Sequence, residues 1–173
     1  TTAGNLTVTA PVSAGTSVTL DAAGNVLLNA GGTVTASGGS SSVTLRGADV
    51  DLGALVTAGT GGITLAPNST GAKIGVNDTT DAGATFLIST GDLANLTTTG
   101  AVTIGRADGI GTIRVGGDGA IDLSAAGLNK DYDLTILGGP LTFNGKLTLV
   151  DNRTATLATL GVGETGSGTK LAI

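Results

Sequence analysis

The segment Gly161-Val-Gly-Glu-Thr-Gly-Ser-Gly-Thr-Lys170 carries glycines at 161, 163 and 166, the G-x-G-x-x-G spacing that lets backbone N–H groups close around a phosphate. A nucleotide triphosphatase loop needs Lys directly after its last Gly, to reach the β and γ phosphates, and then Ser or Thr for magnesium. Here Thr169 precedes Lys170. Such a loop also joins a strand to a helix whose N-terminus faces the phosphate, and helical patterning is almost missing from this chain. The segment is therefore expected to form a glycine-rich corner between coils and to bind no nucleotide.

Acidic residues offer a second chemistry. Gly116-Gly-Asp-Gly-Ala-Ile121-Asp122 begins like the calcium-binding nonapeptide G-G-x-G-x-D-x-U-x, but Ile121 stands where the ligand Asp belongs and Asp122 comes one residue late. One displaced copy cannot cage an ion, so a structural turn is expected. The pairs Asp49 with Asp51, Asp78 with Asp81, and Asp131 with Asp133 have the oxygen ligands that calcium takes and the paired carboxyls that glycoside chemistry uses. Solvated loop acids are the expectation for all three, and no catalytic, cofactor-binding or metal residue is assigned. Thr7-Val-Thr9, Thr33-Val-Thr35 and Thr154-Ala-Thr156 are Thr-x-Thr pairs of the kind an ice-binding face would stack. Their irregular spacing favours Thr simply as a good strand residue. The sequons at Asn5 and Asn152 follow from the threonine-rich composition.

Missing residue types narrow the chemistry further. The 173 residues include no His and no Cys, which removes the Ser-His-Asp triad, imidazole and thiolate metal sites, the cysteine nucleophile and the disulfide. No enzymatic activity and no cofactor are expected. With net charge −5 and eight Lys plus Arg placed singly, no nucleic-acid partner is expected. No apolar run reaches the roughly 18 to 20 residues of a membrane helix, so no membrane insertion is expected either.

The elements that must position these residues are short strands. Val18-Thr-Leu20, Val43-Thr-Leu45, Ile63-Thr-Leu65, Val102-Thr-Ile104, Leu134-Thr-Ile136, Leu141-Thr-Phe143 and Leu147-Thr-Leu149 repeat one apolar-Thr-apolar triplet. Period-two alternation makes each a strand with two side chains inward and Thr outward. Gly4 to Val8 returns at Gly24 to Leu28, and Val43 returns at Ile63 with the same offset, while Val102 to Ile104 matches Ile121 to Leu123 at an offset shorter by one. The best helical stretch, Thr90 to Leu96, offers one turn. With 31 glycines and 2% aromatic residues, the chain is expected to be all-β: one right-handed parallel β-helix (β-solenoid) over 1–173, with coils of about 20 residues. Leu6 would stack beside Val26, and Val43 beside Ile63.

These segments, with Thr99 to Arg106 and the stretch from Gly138 to Thr154, resemble the repeat shafts of filamentous haemagglutinin-like exoproteins. The resemblance implies a non-enzymatic structural segment of a secreted or cell-surface adhesin or matrix fibre of a Gram-negative bacterium. Strand-like residues without a polar cap at either terminus lead to the expectation of other copies of the chain or adjoining repeats as partners, and a host-cell or matrix glycan is a further expected partner. The Asn-Pro motifs of that family's secretion module are not found in this sequence. The alternative is a surface module that binds glycan or ice on its outward face.

Overall fold

The computed structural model describes residues 3–164 and 171–172. Its strands are β1 (Leu6–Val8), β2 (Val12–Ala14), β3 (Ser17–Asp21), β4 (Val26–Leu28), β5 (Val34–Ala36), β6 (Ser42–Gly47), β7 (Val50–Leu52), β8 (Val56–Ala58) and β9 (Gly62–Pro67). Next come β10 (Ile74–Val76), β11 (Phe86–Ile88), helix α1 (Thr90–Ala94), β12 (Leu96–Thr98), β13 (Ala101–Gly105), β14 (Ile113–Val115), β15 (Ile121–Asp122) and β16 (Asp133–Phe143). The last three are β17 (Leu147–Thr148), β18 (Ala155–Glu164) and β19 (Leu171–Ala172).

Burial follows the triplets. In β6 Val43 and Leu45 are fully buried and Thr44 is not, and β9 and β13 repeat this with Ile63, Leu65, Val102 and Ile104. Every registered pairing is parallel, and like side chains meet: Leu6 with Val26, Val43 with Ile63, Ile63 with Val102, Val102 with Leu134. The buried residues form one apolar cluster from Val8 to Leu149. Each fully buried Val, Leu or Ile contributes roughly 1.5–3 kcal/mol, so these in-register columns supply the main cohesion.

The expected single right-handed β-helix with coils of about 20 residues is not what the strands form. Among the described residues they fall into four separate sheets, of three, nine, four and three strands, and one sheet curls into a half-barrel. Spacing is not uniform. Val26 pairs with Val50, slightly farther along the chain than one expected coil, whereas Val56 pairs with Leu96, a full coil too far, and Ile74 with Phe86, well short of one. The sequence match of Val102 to Ile121 is no pairing, since Val102 meets Leu134 and Ile121 meets Leu147.

The physical cause is an interposed segment and one long strand. Between β9 and β13 the chain adds β10, β11, α1 and β12, so the next partner of Ile63 is the distant Val102. β16 pairs through its first half with β13 and through its second with β14, joining two ladders in one sheet. Between the halves stands Gly138, whose φ of +142° is outside what L side chains adopt readily. Gly105, the register partner of Leu137, has φ of +100°, and a Cβ there would lie 2.1 Å from the Leu137 carbonyl oxygen.

Candidate functional site

Most of the acids paired in the sequence have partners of their own. Asp49 is half-buried beside β7, where its Oδ1 accepts the Leu87 N–H at 2.8 Å. Burial pushes its carboxyl above the ordinary value, aided by the carboxylates of Asp92 and Asp51 and opposed by N–H donors from Leu87 and Val50. Asp51 points outward from the same strand. Asp81 accepts from Lys73 Nζ at 3.2 Å and from the Gly83 N–H at 2.9 Å. Asp131 accepts from Arg153 Nε at 2.5 Å, while Asp133 accepts the Thr154 N–H at 2.8 Å. Among the described residues no group of three acidic side chains could hold a metal ion.

Asp78 is the buried exception. Its carboxylate accepts the Thr80 N–H at 3.0 Å, the Thr80 hydroxyl at 2.5 Å and Asn144 Nδ2 at 2.6 Å, and Arg114 Nε is 3.5 Å away. Burial alone would raise this carboxyl, but the bonds from Thr80 and Asn144 and the Arg114 charge outweigh it and hold it below its ordinary value. This network ties the loop after β10 to Asn144, just past the end of β16, and to Arg114 in β14. Asp118 holds the Thr79 N–H and hydroxyl, so the segment that resembled a calcium repeat is a turn, with Gly116 and Gly119 at positive φ. Asp122 accepts the Ser124 N–H.

Gly161 and Gly163 lie in β18, so that part of the glycine-rich segment is strand and not a corner. Gly166, Thr169 and Lys170 lie outside the described residues. The Thr-x-Thr pairs do not stack, because Thr7, Thr35 and Thr156 belong to three different sheets. The central threonines of the triplets stack instead. Thr19, Thr44, Thr64, Thr103, Thr135 and Thr156 are successive register partners across the nine-stranded sheet. At about 4.8 Å per strand they form an outward row roughly 24 Å long. A second row, Ser13, Thr35, Thr57 and Thr97, crosses the four-stranded sheet.

A cleft of about 280 Å³ opens where the four-stranded sheet ends, lined by Leu96 to Thr99, Asn129 to Tyr132, and Arg153. β12 is the last strand of that sheet, and a loop occupies the layer where another strand would pair. Asn129 turns the loop with φ of +53°, a conformation Asn tolerates better than most residues. Lys130 Nζ then donates to the Leu96 carbonyl at 3.2 Å. Below, the Tyr132 hydroxyl donates to the Leu93 carbonyl at 3.4 Å, and burial pushes its pKa up. The sequence gives no sign that Lys130 and Arg153 share a cleft, because they are far apart along the chain and no motif spacing links them.

No described helix is long and apolar enough to cross a membrane. Compared with known proteins, the chain matches no family model, no curated protein and no solved structure.

Proposed function

We propose that the chain is a non-enzymatic structural segment of an exported bacterial adhesin or extracellular matrix fibre, associating end to end with further copies or adjoining repeats. One observation carries this: in-register aliphatic columns run through successive parallel strands as a single apolar cluster, so each layer is held by the next. The triplets that build those columns are the segments that resemble haemagglutinin-like shafts. Among the described residues β1, β2 and β3 are each the last strand of their sheet and pair on one side only, and an open edge of this kind templates further pairing. Electron microscopy of the purified chain is the test. Fibres or end-joined rods are expected; compact particles that stay single at all concentrations would contradict the proposal.

A second reading, a surface module that binds glycan or ice, draws on the six-threonine row, whose hydroxyl and methyl groups repeat at the strand spacing. Thermal hysteresis from unassociated particles in the same preparation would favour it over the fibre.

A further inference from the structure

We infer that the cleft at the end of the four-stranded sheet binds one carboxylate-bearing sugar ring, with Lys130 and Arg153 holding the carboxylate and Thr97, Thr99 and Asn129 facing the hydroxyls. Such binding requires no fibre.

Charge is the first ground. The chain as a whole carries −5, yet the cleft is lined by two cations, Lys130 and Arg153, and one acid, Asp131. Asp133, the nearest further acid on the same stretch, accepts the Thr154 N–H and also acts on the Arg153 guanidinium. The two cations of the lining are the groups that an anion entering the cleft would meet.

Donor capacity is the second. Lys130 has three N–H donors, and the Leu96 carbonyl takes one. Arg153 has five, of which Nε is on Asp131. The remaining donors include a guanidinium edge suited to a planar carboxylate. The Arg153–Asp131 pair is exposed on the acid's side, where Asp131 is 69% accessible, and such pairs are weak enough to be exchanged for a ligand.

Size and neighbouring chemistry supply the third. Small-molecule pockets run from roughly 300 to 1,000 Å³, so about 280 Å³ suits a single ring. An extended peptide would instead add to the free edge of β12, but that strand is three residues long and Lys130 already occupies its first carbonyl. The hydroxyls of Thr97 and Thr99 and the Asn129 amide are neutral partners of the kind sugar hydroxyls require.

The test uses the whole chain, ¹⁵N-labelled, titrated with methyl glucuronate as glycoside, methyl glucoside and acetate. Glucuronate is expected to shift the amides of residues 96–99 and 129–132 saturably, with the neutral glucoside and acetate each at least about tenfold weaker, the loss expected when a charge-assisted bond or the hydroxyl contacts are missing. Lys130→Ala and Arg153→Ala should each weaken binding by about tenfold, and Asp131→Asn, which frees Arg153, should tighten it about threefold. Unchanged melting of these surface variants separates binding from folding. Equal binding of glucoside, equal binding of acetate, or no saturable shift would each overturn the inference.

Discussion

At the scale of single residues, side chains take the place of missing strand partners. β7 lies next to β11 without a backbone ladder between them, and the Asp49 carboxylate accepts the Leu87 N–H that a strand carbonyl would otherwise take. The acceptor is needed, but the charge is not. Asp49→Asn keeps an oxygen for Leu87 and removes the ionised form that burial disfavours, so it should fold at least as stably as the parent at neutral pH. Asp49→Ala strands the Leu87 N–H and should cost about 1–3 kcal/mol. The pH dependence has a definite sign: with a folded pKa above the unfolded 3.8, the parent gains stability from this group as pH falls through the folded value, and the gain is complete below 3.8. In urea titrations across that window Asp49→Asn should lack this increment. A parent-like increment in the variant would contradict the account.

At the scale of elements, α1 seals an edge. Ser89 caps the helix, its Oγ accepting the Asp92 N–H at 3.1 Å while Asp92 Oδ2 accepts the Ser89 N–H at 2.8 Å. The other carboxylate oxygen of Asp92 accepts the Leu52 N–H at 2.7 Å, and Asn95 Nδ2 donates to the Leu52 carbonyl. One short helix thus satisfies both backbone groups of a β7 residue. Asp92→Ala should cost about 2–3 kcal/mol, a cap and a charge-assisted bond lost together, and hydrogen exchange at Leu52 should quicken more than at Leu45 on the far sheet. Uniform quickening would mean that the helix is not a local seal. Much of this level is legible in sequence: the apolar-Thr-apolar triplets are strands, the one helical turn is at 90–96, and Leu6 meets Val26 because the first repeat keeps its length. Pairing after β9 is not legible, because the segment from 68 to 100 interposes strands whose partners depend on the closed structure. The Lys130 and Arg153 cleft is hidden for the same reason, since it exists only where a loop takes the place of the next strand.

At the scale of the whole molecule, cohesion comes from aliphatic columns that thread the sheets, while the outward rows are nearly free to vary. Leu20, Leu45, Leu65, Ile104, Ile136 and Leu157 are successive partners in one inward column. Leu65 is 0% exposed and touches the layers on both sides, so Leu65→Asp leaves an unpaired charge in the shared core and should abolish cooperative folding or cost more than about 4 kcal/mol. Its neighbour Thr64 faces outward between Thr44 and Thr103, and Thr64→Asp loses cross-strand contacts worth about 1 kcal/mol. Comparing the two by thermal melting tests the architecture without reference to any ligand. If both variants melted alike, the alternation would not divide core from surface, and a column broken at Leu65 would have no means of propagating its loss to β3 and β16. A steep contrast is expected, with the Leu65 variant losing protection in β6 and β13 as well as β9, because those strands bury their apolar faces against the same column.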